Sequence, residues 1–86
     1  MKENFNGIIL FVSEHCKVCE KQKELFDKLK IKYTKVVCDE DPNYWIENYN
    51  IDVLPETRIY EFGKSVWSRV DIIQNDEDIK FLENYI

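Results

Sequence analysis

The sequence contains no alanine, only two glycines and two prolines, one methionine and one histidine in 86 residues. So few glycines and prolines exclude a linker-rich or disordered chain, and 44% apolar with 34% charged residues is a globular balance. The missing alanine, beside ten lysines, ten isoleucines and seven asparagines, is a bias in keeping with an AT-rich genome and bears on no chemistry. Long hydrophobic runs are also missing. The longest, residues 8–12, has five members, whereas a membrane span needs ~20 and a secretory signal ~7 to 15 behind a basic start. Neither membrane association nor export is expected. Basic residues are outnumbered, twelve against seventeen acidic for a net charge of -5, so the attraction to phosphates that underlies nucleic-acid binding is missing. Three cysteines, two of them three positions apart, suit a working thiol pair in the reducing cytoplasm rather than a secreted disulfide framework. At this length one domain spanning residues 1–86, working as a monomer, is expected.

The elements follow in order without repeats. Ile8, Ile9, Leu10, Phe11 and Val12 form a run too short for a helix, which predicts a central strand buried on both faces. Residues 16–30 place Val18, Cys19, Leu25, Phe26 and Leu29 near a 3.6 period, with Glu20–Lys23 and Glu24–Lys28 able to pair on the wet side. Residues 33–38 are β-branched and aromatic, a second strand. Asp41 and Pro42 supply an N-cap and a first-turn proline for a short helix to about Tyr49, with Trp45, Ile46 and Tyr49 buried and Asn50 ending it in the left-handed conformation. Residues 56–62 and 65–70 predict a hairpin turned at Gly63-Lys64. Asn75 caps a last helix with acids in its first turn and Ile79, Leu82, Tyr85 and Ile86 on one face. The order β-α-β-α-β-β-α predicts an α/β protein with a four-stranded mixed sheet and helices on both faces.

Residues 13–19, Ser-Glu-His-Cys-Lys-Val-Cys, sit where the first strand ends and the first helix begins. Cys16 therefore stands at a helix N-terminus, where free N–H groups, the helix dipole and the neighbouring His15 and Lys17 favour a thiolate and lower its pKa below the ~8.5 of a free cysteine. Cys19, one turn on and deeper, is placed to resolve a mixed disulfide on Cys16. A zinc site needs four ligands. Only Cys38 and His15 could complete one, and His15 abuts Cys16, so no metal is expected. A c-type haem site is excluded because Glu20, not histidine, follows Cys19. Cys38 reads as a small buried hydrophobe. Tyr44, Trp45 and Tyr49 read as core aromatics, and Trp67 lies on an edge strand.

Three stretches resemble the thioredoxin superfamily, across nearly the whole chain. Residues 8–19 look like its central strand and active-site CxxC, residues 49–57 like the segment holding its cis-proline, and Phe62-Gly63-Lys64 like its hairpin turn. The resemblance implies a thioredoxin-like fold and thiol-disulfide exchange, with Cys16 and Cys19 catalytic. It also implies a cis bond before Pro55, which would face Cys16 and leave the Leu54 backbone free to pair with an extended substrate. His15, Lys17, Leu54, Pro55 and Asp71 are then the substrate-side residues. Protein disulfides are the implied substrates, a reductase or other dithiol the donor, and no metal or organic cofactor is required.

Departures matter too. Only six residues precede Gly7, so the additional N-terminal strand and helix of full thioredoxins have no counterpart and the outline is that of a minimal, glutaredoxin-like member. The paired glycines that glutaredoxins place near glutathione are absent, and Asp71 stands about where one would lie, which argues against glutathione as a partner. The buried carboxylate that thioredoxins carry six residues before the first cysteine is Leu10, leaving Glu14, Asp71 or water to take the Cys19 proton. His15 replaces the family's usual tryptophan or proline-type neighbour. Two other readings stay open at this stage: a redox-inert binding module on the same fold, and a metal or iron-sulfur binder using Cys16 and Cys19.

Overall fold

A strand that must be dry on both sides needs a helix over each face, and β1 (Gly7–Val12) is built that way. In the computed structural model, which describes residues 4–85, β1 is followed by α1 (Lys17–Lys28), β2 (Thr34–Val37), α2 (Pro42–Tyr49), β3 (Glu56–Glu61), β4 (Lys64–Val70) and α3 (Asp76–Asn84). The sheet order is β2-β1-β3-β4, with β1 parallel to β2 and the β1–β3 and β3–β4 pairs antiparallel. Ile8, Leu10 and Val12 pack with Cys19 and Phe26 of α1, with Ile59 of β3, with Ile73 between β4 and α3, and with Leu82 of α3. Ile9 and Phe11 point the other way, into a core with Cys38, Tyr49, Ile51 and Tyr60 under α2. The expected α/β architecture, a mixed four-stranded sheet with helices on both faces, is therefore the observed one. Among the described residues no helix is long and apolar enough to cross a membrane.

The helix ends follow the local chemistry. Asp41 accepts from the Tyr44 amide at 3.2 Å with Pro42 opening α2, and Asn75 accepts from the Asp78 amide at 2.8 Å at the start of α3. Asn50 ends α2 at φ 56°, as expected. Lys30, at φ 60°, closes α1 in a Schellman arrangement: the Ile31 amide donates to Phe26 O and the Lys30 amide to Asp27 O.

Several sequence expectations change at the level of packing. The buried stripe of α1 is Cys19, Gln22 and Phe26, so Val18, one residue off that stripe, is exposed. In α2 Tyr49 is buried and Tyr44 and Trp45 pack against that core, whereas Ile46 lies on the solvent side, 45% exposed. β2 begins at Thr34 rather than Tyr33; the Tyr33 ring lies 5.5 Å from Phe26 and its hydroxyl donates to Asp27. Burial and that carboxylate push the Tyr33 phenol up to about 12. The hairpin turns at Phe62-Gly63, not Gly63-Lys64, because a two-residue turn of this hand needs positive φ at both central positions, and these have φ 54° and 81°. Residues before β1 brace it: the Phe62 amide donates to Asn6 Oδ1 and the Gly63 amide to Phe5 O. Trp67, on the edge strand β4, is half-buried against Phe81 of α3. Ile86 lies outside the described residues.

Candidate active site

Strand register gathers the sequence-predicted residues at one end of the sheet. Phe11 pairs with Glu56 across β1 and β3, and Glu56 pairs with Val70 across β3 and β4. The segment leaving β1 toward Cys16, the segment entering β3 through Leu54 and Pro55, and the segment leaving β4 at Asp71 therefore share that end.

Cys16 is the N-cap of α1, and its Sγ accepts from the Cys19 amide at 3.1 Å. That is the position in which an anionic sulfur gains a charge-assisted hydrogen bond and the positive end of the helix dipole. The two cysteines are joined by a disulfide, with Cα atoms 5.2 Å apart. Their exposure is unequal: Cys19 is 1% exposed, within the α1-side core, while Cys16 is half-buried at its margin. An incoming sulfur can meet only Cys16. His15 and Lys17 flank it and both are exposed.

The Leu54-Pro55 peptide bond is cis. Pro55 is buried, Leu54 is half-buried against both cores, and the Pro55 carbonyl accepts from the Asp71 amide at 2.8 Å. Asp71 itself is exposed, at φ 73°, a conformation that favours glycine. Its Oδ1 accepts from the Ile72 amide at 2.8 Å. Cys38 is on the α2 side of the sheet and Cys19 on the α1 side, so the third thiol cannot join the pair. Burial, aided by Asp39 and Glu56, pushes the Cys38 thiol up to about 11.

Two neighbours of the site escaped sequence reasoning. Asp39, just past β2, accepts from the Glu14 amide at 2.8 Å. Its carboxyl is held below the usual range by the Ser13 hydroxyl, the Glu14 amide and the charge of His15, so it pins the loop before Cys16. Gln22 is fully buried, with its Nε2 donating to Ile73 O at 3.1 Å and its Oε1 accepting from the Ile73 amide at 2.6 Å. One side chain thereby ties α1 to the segment between β4 and α3. Neither contact leaves a motif, since the partners lie 25 and 51 positions apart.

No family model and no curated protein matches the chain by sequence. Solved structures do match. A thioredoxin-2 of the malaria parasite superposes over 99% of both chains with TM-score 0.72 at 14% identity. Thioredoxin f2 of Chlamydomonas reinhardtii covers 93% of this chain and 78% of its own, TM-score 0.72 at 18% identity. A Plasmodium falciparum thioredoxin covers 90% and 81%, TM-score 0.64 at 28% identity. This is the thioredoxin fold. A disulfide-forming CxxC stands at the strand-to-helix junction of that thioredoxin fold, and a cis-proline at the same end of its sheet.

Proposed function

We propose that the chain is a thiol-disulfide oxidoreductase that reduces protein disulfides through Cys16 and Cys19. The observation that carries this reading is the unequal exposure of two sulfurs able to bond to each other, the outer one capping a helix. The Cys16 thiolate attacks one sulfur of a substrate disulfide; that S–S bond breaks, a substrate thiolate leaves, and a mixed disulfide forms. Cys19, losing its proton, attacks Cys16 Sγ. The second substrate thiolate leaves and the Cys16–Cys19 disulfide remains. Two electrons have passed from the dithiol to the substrate, and a dithiol donor or reductase returns them.

The Leu54 backbone beside cis-Pro55 is the proposed docking edge for an extended substrate, with His15 and Lys17 flanking the nucleophile. Free glutathione is a poor fit at a rim carrying Asp71, and the cytoplasm is the compartment in which such a dithiol stays reduced. The test is turnover of insulin disulfides with dithiothreitol as donor. Acceleration over dithiothreitol alone that disappears in Cys16→Ser supports the reading; wild-type protein no faster than the uncatalysed reaction removes it.

A further inference from the structure

Arg58 belongs to β3 on the α2 side of the sheet, opposite Ile9, with its guanidinium 5.5 Å from the centre of the Phe11 ring. It uses each of its nitrogens. Nε lies 2.6 Å from Glu56 Oε2, Nη1 donates to the Tyr60 hydroxyl at 2.9 Å, and Nη2 donates to the Tyr49 carbonyl. Both members of the Arg58–Glu56 pair are largely buried, with side chains 12% and 7% exposed. Tyr49 is the last residue of α2 and Glu56 the first of β3. One guanidinium therefore holds both ends of the connection, residues 50–55, that carries Leu54 and cis-Pro55. The last turn of α2 contains no basic residue of its own, so Arg58 also supplies the cation that the negative end of that helix favours.

We propose that Arg58 is a positioning residue: its fork clamps residues 50–55 so that the Leu54 backbone is held in place for a substrate strand. The clamp itself stands on the geometry above, and its consequence for substrate rests on the oxidoreductase reading. A planar, always-charged fork is needed, because three acceptors, at the end of α2, at the start of β3 and further along β3, must be met at once. Lysine carries the charge without the fork.

The experiment compares Arg58→Met, Arg58→Lys and Glu56→Gln with wild type by amide hydrogen exchange and by kinetics. In Arg58→Met the amides of Asn50 and Ile51, which donate to Ile46 O and Trp45 O, are expected to exchange about tenfold faster, as loss of charge-assisted bonds allows, while those of Phe26 and its α1 neighbours keep their rates. KM for insulin is expected to rise severalfold, with turnover of hydroxyethyl disulfide, too small to need a docking strand, within about twofold of wild type. Arg58→Lys should resemble Arg58→Met. Should Arg58→Met not fold, Glu56→Gln, which keeps shape and removes one charge, is expected to shift the same amides in the same direction. Unchanged exchange at Asn50 and Ile51 in a folded variant, full rescue by lysine, or equal losses on insulin and hydroxyethyl disulfide each overturn the proposal. Wild-type protein inactive on insulin would remove the oxidoreductase reading instead, and the exchange rates would still decide the clamp.

Discussion

The Asp71 amide donates to the Pro55 carbonyl at 2.8 Å, which seats an exposed carboxylate beside the cis-proline at positive φ. A negative charge there repels an acidic thiol such as glutathione. Asp71→Gly removes that charge and suits the φ of 73°. It also loses the Asp71–Ile72 contact and gains unfolded-chain entropy, so stability should stay within about 1 kcal/mol of wild type. Reaction of the oxidised protein with glutathione is expected to be severalfold faster at low salt, the gain shrinking as salt rises. Stopped-flow rates at two ionic strengths check this, and identical rates in both proteins would show that Asp71 plays no part in excluding glutathione.

Cys16 and Cys19 should give opposite phenotypes. Cys16→Ser loses disulfide reduction altogether, because the buried Cys19 sulfur is out of reach of a protein substrate. Cys19→Ser retains the nucleophile and lacks the resolver, so it accumulates a covalent adduct with substrate. Intact mass spectrometry after exposure to an oxidised peptide distinguishes them. Adducts of equal yield in both variants would dissolve the assignment of nucleophile and resolver.

Cys38 should be silent near neutral pH. With its thiol at about 11, roughly one molecule in a thousand carries the thiolate at pH 8, against roughly a quarter for a free thiol near 8.5. Alkylation of the native oxidised protein at pH 8 is therefore expected to be slow and to become rapid in denaturant, and Cys38→Val should turn over substrate near the wild-type rate. The linkage has a definite sign. The folded thiol holds its proton to higher pH than the unfolded one, so its contribution is present in full below ~8.5 and is lost as pH rises toward about 11. Cys38→Val should flatten the alkaline fall in stability over that window.

What the sequence made legible is what local chemistry decides. A five-residue apolar run, the caps at Asp41 and Asn75 and the left-handed Asn50 depend on neighbours within a few positions, and the cysteine pair falls at a strand-to-helix junction that the same reasoning locates. Contacts made across the fold were not legible. Nothing near Gln22 marks it for a core position, because its partner is the backbone of Ile73 and any residue there offers the same two groups. Arg58 reads as an ordinary polar residue in an alternating strand until Tyr49 and Glu56 are brought around it. Phe62 fits the strand pattern, and the reversal there shows only in its positive φ, the Glu61–Lys64 pairing and the bracing by Asn6 and Phe5. Ile46 and Val18 fit a helical period and miss the core because a short helix offers only one narrow stripe to the sheet.

Two fully buried polar side chains on the α1 side of the sheet should respond oppositely to the loss of their polarity. Gln22 is satisfied at both ends of its amide by Ile73. Gln22→Leu keeps much of the volume but strands a buried N–H and a buried C=O, so a loss of about 2 to 4 kcal/mol is expected. Thr57 pairs in register with Leu10, and its Oγ1 is buried with no hydrogen-bond partner among the described residues. Thr57→Val replaces that hydroxyl with a methyl of similar size and strands nothing, so it should be neutral or stabilising by up to about 1 kcal/mol. Urea unfolding of the oxidised protein, with the slope unchanged between variants, measures both. A Thr57→Val loss comparable to that of Gln22→Leu would mean that the hydroxyl is satisfied in solution, by a buried water.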